Sequence, residues 1–198
     1  ESEKERMRGN LLRAISHDLR TPLTSISGNA NNLLSNGNLF DTKTKEQMYT
    51  DIYDDAMWLI NLVENLLSVS RLEEGRMNLH VSTELIDEVV AEALRHINRK
   101  SAEYHLKVQN SEEYLLAQID AKLIVQVIIN LVDNAIKYTP QGTIEMGYEV
   151  VDAGIRLYVR DTGIGIPEEK KRKVFHRFEK LDEFAQGTGL GLSICCLL

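Results

Sequence analysis

The chain has 198 residues, 43% hydrophobic and 27% charged, which is enough for one large or two small domains with apolar cores. Its net charge of −7 is spread along the sequence, so we expect no nucleic-acid partner. We also expect no direct membrane contact, because no apolar run approaches the roughly 20 residues of a spanning helix and no signal peptide is visible. Adjacent Cys195 and Cys196 suit neither a disulfide framework nor a zinc site, which favours a cytoplasmic setting.

The first third of the chain predicts two long helices. Apolar residues recur in steps of three and four from Met7 to Leu34, and again after the breaker-rich segment SNGNLFDT as far as about Leu72. Asp41 or Thr42 is the expected N-cap of the second helix. A lone hairpin leaves half its apolar surface exposed, so we predict that two chains pair as a homodimer with a four-helix bundle. The alternative is a hairpin that packs on the rest of its own chain.

The pattern changes near Gly75, which predicts a helical domain at residues 1–76 and a second domain at 77–198. In the second domain, helix patterns interleaved with strand patterns predict a two-layer arrangement of helices on a mixed sheet. The predicted elements are a strand from Met77 to Val81, a helix capped by Ser82 or Thr83, strands at Tyr104 to Val108 and Tyr114 to Ile119, a helix from Ala121 to Tyr138, and a hairpin of Thr143 to Val151 with Ile155 to Arg160.

His17 lies in the segment SHDLRTPLT, one helical step from the apolar stripe. Pro22 inside the same helix cannot donate to the carbonyl of Asp18, so the helix is expected to bend just below the histidine. A neutral imidazole is a competent nucleophile when a carboxylate orients it or takes its proton, a role that Asp18 suits. Taken alone, a surface histidine is more often a structural or solvated side chain than a nucleophile.

The segment QVIINLVDNAIKYTP places Asn130 and Asn134 on one face of a helix, with Lys137 about one turn further. Carboxamide oxygens can ligate magnesium that is bound to nucleotide phosphates, and a lysine suits the phosphates themselves. The alternative is a polar helix face that merely meets water.

Two glycine clusters complete the set of motifs. In DTGIGIP, Asp161 ends a strand and could accept a hydrogen bond from an adenine amino group, while Gly163 and Gly165 allow a tight turn. In GTGLGLS, the backbone N–H groups at the start of a helix favour phosphate oxygens. Between the clusters, Phe175 and Phe178 indicate core packing more often than ligand contact, and a polar stretch could form a mobile lid.

In this order and spacing, SHDLRTPLT, NLVDNAIKYT, DTGIGIP, the Phe175/Phe178 pair and GTGLGL resemble the H, N, G1, F and G2 boxes of sensor histidine kinases, over nearly the whole chain. The segment NLLRAISHDLRTPLTSISG is similar to Kdp-type sensor kinases. The resemblance implies a Bergerat-type ATP-binding α/β sandwich after the helical hairpin, with ATP and Mg²⁺ as cofactors. It also implies autophosphorylation and transfer to an aspartate of a response-regulator receiver domain.

Carried onto this sequence, the resemblance makes His17 the phosphoacceptor, Asp18 the assisting acid and Thr21 the position used in dephosphorylation. Lys180 stands where many relatives have an arginine near the γ-phosphate, and it lacks the planar fork. The resemblance assigns magnesium to Asn130 and Asn134, and the remaining nucleotide contacts to Lys137, Tyr138, Asp161, Gly163, Gly165, Gly187, Thr188, Gly189, Leu190 and Gly191.

Members of this family continue the helix after GTGLGLS and add strands, whereas this sequence stops at Leu198. We therefore expect a shortened ATP domain with weaker nucleotide binding. Two other functions stay open: a serine kinase or ATPase with the same ATP fold, and a dimerisation and docking module with an impaired ATP site. The stimulus, the partner regulator, and phosphorylation within one chain or across the dimer are not specified by the sequence.

Overall fold

The first domain is a hairpin of two long helices. The computed structural model describes residues 2–73, 78–97, 105–109, 114–176, 189 and 191–197. Helix α1 (Ser2–Asn36) runs through Pro22 and is joined by a short 3₁₀ turn, Gly37–Leu39, to α2 (Thr42–Glu73). Asp41 caps α2, because its Oδ1 accepts a hydrogen bond from the Thr44 N–H at 2.7 Å. The predicted hairpin and its cap at Asp41 are confirmed, while the bend at Pro22 stays a prediction.

The hairpin leaves a long apolar stripe uncovered. On α2 the exposed large residues recur in helical steps, so they share one face. Leu23 on α1 is also half exposed, and it lies in a groove of about 740 Å³ that starts beside His17 and includes Leu19. The expectation that one hairpin cannot bury its own apolar surface is confirmed. The exposed residues of α2 are Tyr49, Tyr53, Ile60, Val63 and Leu67.

The second domain combines two small sheets with helices. One sheet pairs β1 and β3 antiparallel, with Ser82 opposite Ile119. In the other, β4 is the central strand, parallel to β2 and antiparallel to β5. The elements are β1 (Ser82–Leu85), α3 (Ile86–Arg95), β2 (His105–Gln109), β3 (Leu116–Ile119), α4 (Ala121–Tyr138), β4 (Thr143–Val151), β5 (Gly154–Asp161), a 3₁₀ turn (Glu168–Lys170) and α5 (Gly191–Leu197).

The core of this domain lies between helices α3 and α4 and the central strand β4. Each of α3, α4 and β4 contributes an apolar face, and those faces pack into one buried cluster. Burial of β4 comes from Ile144, Met146 and Tyr148, the alternating residues of its inner face. The predicted order of a helical region followed by helices on a mixed sheet is confirmed. The helical residues in the cluster include Ile86, Val89, Val90, Ala93, Ile128, Ile129 and Val132.

The start of the second domain differs from the prediction. The strand begins at Ser82, whereas residues 78–81 have no strand pairing and Met77 lies outside the described residues. Helix α3 starts at Ile86, so Ser82 and Thr83 do not cap it. Their hydroxyls serve the sheet instead, because Ser82 Oγ donates to Glu84 at 2.6 Å and Thr83 Oγ1 accepts from Gln118 at 2.5 Å. Pairing with β3 outweighs the local capping preference of these residues.

Across the described ranges, none of the helices combines the length and the apolar character that crossing a bilayer requires.

Candidate functional site

His17 stands on the outer surface of α1. Its side chain is 78% exposed, whereas that of Asp18 is only 6% exposed. His17 Nδ1 lies 3.4 Å from Asp18 Oδ1, which leaves Nε2 on the side of the ring away from this carboxylate. Thr21 is one helical turn further along α1 and is exposed. The structure therefore places the predicted nucleophile and Thr21 on one accessible face of α1, with the buried carboxylate of Asp18 beside the His17 ring.

The loop after β5 folds against the C-terminal end of α4. Asp161 Oδ1 accepts from the Gly163 N–H at 2.9 Å and from Thr139 Oγ1 at 3.4 Å. Ile164 N–H donates to the Tyr138 carbonyl at 3.0 Å. A Cβ at Gly163 would lie 2.1 Å from that carbonyl oxygen, so only glycine fits there. These contacts fix the Asp161 carboxylate at the end of α4.

Thr139 is a member of this site that sequence reasoning missed. It is fully buried, and its hydroxyl reaches Asp161. The sequence signal was its place directly after Tyr138 at the helix end, where a hydroxyl can serve a neighbouring loop.

A second group of predicted residues lies about two and a half turns earlier on α4. Asn130 is buried at 4% exposure, and a Cβ added to Gly191 would lie 3.6 Å from Asn130 Oδ1. The first residue of α5 thus borders the Asn130 carboxamide. Asn134 is half-buried on the next turn of α4. From Asn130 to Thr139 the helix rises about 14 Å at 1.5 Å per residue, so Asn130 and Asp161 mark two ends of an extended site.

Lys137 and Tyr138 lie near the Asp161 end. The Lys137 side chain is exposed, and its Nζ lies 5.0 Å from the centre of the Tyr138 ring. In the glycine-rich loops, Gly165 and Gly189 have φ values of +70° and +68°, which favour glycine. Phe175 is exposed, so core packing does not explain it in this arrangement. Phe178, Lys180, Gly187, Thr188 and Leu190 lie outside the described residues.

The polar face of α4 does not simply meet water, as the alternative interpretation of the two asparagines supposed. It packs on α2 through side chains at positions 61, 65 and 68 of α2 and 126, 130 and 133 of α4, which share one face of each helix. We call this set the amide ladder. Its hydrogen bonds join Asn61 to Asp133 (3.2 Å), Asn65 to Asn130 in both directions (2.9 and 3.1 Å), Gln126 to Asn65 (2.8 Å) and Ser68 to Gln126 (3.0 Å).

Asp133 is the titratable group of this ladder. Burial raises its pKa to about 6, and the hydrogen bond from Asn61 opposes that shift only in part. The sequence indicated Asn130 but not its α2 partners. The spacing of Asn61, Asn65 and Ser68 in steps of four and three was the available signal, and polar residues inside an apolar pattern could have drawn attention to it.

Comparison with known proteins matches both parts of the chain. Residues 7–75 match the His Kinase A (phospho-acceptor) domain, and residues 119–198 match the histidine kinase-, DNA gyrase B- and HSP90-like ATPases. The sensor protein KdpD of Clostridium acetobutylicum is 42% identical over 98% of this chain, but the chain spans only 22% of KdpD.

Two solved structures support the same assignment. The catalytic domain of histidine kinase ThkA is 34% identical, with a TM-score of 0.53 over 60% of this chain and 78% of that one. ThkA in complex with the response regulator protein TrrA is 27% identical, with a TM-score of 0.55 over 98% of this chain and 55% of that one. The chain belongs to the sensor histidine kinases, and it carries the family's phosphoacceptor domain and ATPase domain in that order.

Proposed function

We propose that this chain is a histidine kinase core that transfers the γ-phosphoryl group of ATP to His17 and then to an aspartate of a response regulator. The observation that carries the proposal is the exposed imidazole of His17 beside the buried carboxylate of Asp18, in a chain that also carries an ATPase-type domain. The chain spans only 22% of KdpD, so the activity of the whole protein belongs to this proposal.

Asp18 prepares the nucleophile by holding one side of the ring. With the Nδ1 proton directed at the Asp18 carboxylate, Nε2 keeps its lone pair and faces outward. Nε2 attacks the γ-phosphorus in line, an N–P bond forms, the bond to the bridging oxygen breaks, and ADP leaves. The imidazolium character that develops is stabilised by the same carboxylate. Positioning and charge neutralisation supply most of the rate enhancement.

The residues along α4 suit a magnesium nucleotide. Asp161, oriented by Thr139 and Gly163, would accept from the adenine amino group, and glycine at position 163 leaves room for the loop. The carboxamide oxygens of Asn130 and Asn134 are the hard donors that magnesium prefers, and Asn130 borders Gly191. When bound, Mg²⁺ neutralises charge on the phosphates. We further propose that Lys137 and Tyr138, with Lys180 and the glycines of the second loop, contact the nucleotide.

The proposed partners are a second copy of the chain and a receiver domain. The uncovered apolar stripe on α2 and the groove beside α1 support pairing into a four-helix bundle. The ThkA–TrrA complex supports a response regulator as the phosphoryl acceptor. Thr21, exposed one turn from His17, would position water for dephosphorylation of the regulator.

Incubation with magnesium and γ-labelled ATP tests the phosphoacceptor directly. We expect one acid-labile, base-stable phosphoryl group per chain, and none in His17→Gln. His80→Gln is the matched control, because His80 is also exposed but lies outside the helical hairpin. Label that persists in His17→Gln would refute the assignment.

Labelling in the presence of a partner protein, together with a melting curve, separates the other two functions. Acid-stable phosphoserine on a partner would favour a serine kinase with this ATP fold. If ATP and magnesium gave no rise in melting temperature and no label, the chain would instead be a docking module.

A further inference from the structure

The side chain of Asn130 has two assigned partners, one in the amide ladder and one in the proposed ATP site. Asn130 is the residue that the proposed function assigns to magnesium at the phosphate end of the site. In the structure its carboxamide is paired with that of Asn65: Oδ1 accepts from Asn65 Nδ2, and Nδ2 donates to Asn65 Oδ1. Asn130 and Asn65 are 4% and 6% exposed, so a hydrated cation cannot reach the Asn130 oxygen while the two side chains are paired.

We propose that the amide ladder is an intramolecular latch, in which α2 and a magnesium-bound phosphate group compete for Asn130. This inference rests on the proposed function and adds a way to regulate it. Closing the latch docks the ATP domain on the phosphoacceptor hairpin and covers the phosphate end of the site. Opening it releases Asn130 to the nucleotide and frees the ATP domain to move towards His17.

The chemistry of the ladder suits a reversible contact. Its hydrogen bonds join mostly neutral side chains, and such bonds gain little over the bonds to water that replace them on opening. Both helices present their polar side chains at matching steps, so the contact has a defined register. The adenine end is not covered in the same way, because Asp161 is exposed.

Linkage gives the latch a measurable effect. The closed form excludes the magnesium-bound phosphates. The apparent dissociation constant of the magnesium nucleotide therefore equals the constant of the open form divided by the fraction of molecules that are open. If the closed form holds about nine tenths of the molecules, abolishing it tightens binding by about tenfold. Adenosine has no phosphates and should bind equally well to both forms.

Titration calorimetry on the whole chain compares Asn65→Ala with wild type. We expect Asn65→Ala to bind AMP-PNP with magnesium several-fold to about tenfold more tightly, with no change for adenosine. Gln47→Ala is the matched control: Gln47 is on α2 and bonds to Asp51 at 2.9 Å within the same helix, so its loss should leave both affinities unchanged.

Gln126→Ala tests the latch from the other helix and does not depend on how Asn65→Ala folds. Gln126 bonds to Asn65 and Ser68 but has no proposed contact with the nucleotide, so its loss should also tighten AMP-PNP binding several-fold and leave adenosine binding unchanged.

The outcomes distinguish the latch from the ATP site. Equal AMP-PNP affinity in wild type, Asn65→Ala and Gln126→Ala would overturn the latch while leaving the ATP site intact. Equal gains for AMP-PNP and adenosine would also overturn it, because the effect would then not be at the phosphate end. If no variant bound AMP-PNP with magnesium, the ATP site itself would be refuted, and the competition with it.

Discussion

Gly163 fixes the geometry of the loop that carries Asp161, a residue of the proposed nucleotide site. Its missing Cβ makes room for the Tyr138 carbonyl, and its N–H holds Asp161. We expect Gly163→Ala to cost roughly 1–3 kcal/mol of unfolding free energy through overpacking. It should also weaken ATP binding, since the Asp161 carboxylate must shift. Urea unfolding and nucleotide titration measure the two effects.

Gly28→Ala is the matched control for that prediction. Gly28 lies inside α1, and a Cβ there meets nothing within 4 Å. Alanine should therefore stabilise the helix by about 0.5–1 kcal/mol, and ATP affinity should not change. If both glycine substitutions had the same sign in urea unfolding, the steric argument for Gly163 would be wrong.

Asp133 is expected to make the stability of the protein depend on pH. Its folded pKa of about 6 exceeds the roughly 3.9 of an unfolded aspartate, so deprotonation favours the unfolded chain. Its contribution to stability is fully present below about pH 4 and is lost as the pH rises through about 6. Asp133→Asn stays neutral, so the variant should gain stability relative to wild type between about pH 5 and about pH 7.5.

Urea unfolding at the two pH values measures that gain. Asp152→Asn, in the exposed turn between β4 and β5, provides the control and should change stability equally at both. A difference between wild type and Asp133→Asn that did not vary with pH would contradict the assignment of the shift to burial of this carboxylate.

The sequence was informative about residues wherever the chemistry was local. The pairing of His17 with Asp18 follows from adjacency on one helix, and the glycine at position 163 follows from a tight turn after a strand. It was not informative about Asn65, because the role of that side chain depends on α4, some 65 positions away in sequence. Helix periodicity assigns faces but does not say which distant polar face will meet which.

At the scale of elements, one hydrogen bond ties helix α3 to the central strand. Tyr148 is buried on β4, and its hydroxyl donates to Asp87 in the first turn of α3. We expect Tyr148→Phe to destabilise the domain by about 1–3 kcal/mol, because the partner carboxylate loses its donor in a partly buried position. Thermal unfolding followed by circular dichroism measures the loss.

Tyr158→Phe is the control for this bond. Tyr158 also donates to carboxylate and amide oxygens, but from the outer face of β5, so its loss should cost much less. Equal costs for the two substitutions would mean that the Tyr148 hydroxyl is not a structural link.

Element boundaries show where local signals compete with pairing. The helix from Ala121 to Tyr138 and the following hairpin were predicted closely, because a cap at Asp120 and a breaker after Thr139 agree with the periodicity. At Ser82 the capping signal was misleading, because serine is common both at helix caps and in strands, and only the pairing with β3 shows which applies. The start of α3 was therefore set by a long-range contact.

At the scale of the whole molecule, the exposed stripe on α2 predicts the state of association. Ile60 is 54% exposed in the middle of that stripe, flanked by Val63 and Leu67. A charge there would have to be buried without a partner in a four-helix bundle, so Ile60→Glu should shift the chain from dimer to monomer. Light scattering after size exclusion measures the mass directly.

Val150→Glu is the matched substitution for that experiment, since Val150 is 64% exposed at the end of β4 in the other domain and should leave the dimer intact. A monomeric wild type would refute the paired bundle.

If Ile60→Glu were monomeric but still acquired acid-labile phosphate, His17 would receive it within one chain. Loss of labelling, restored by mixing with a dimer-competent chain lacking His17, would instead place the ATP site and His17 on different chains.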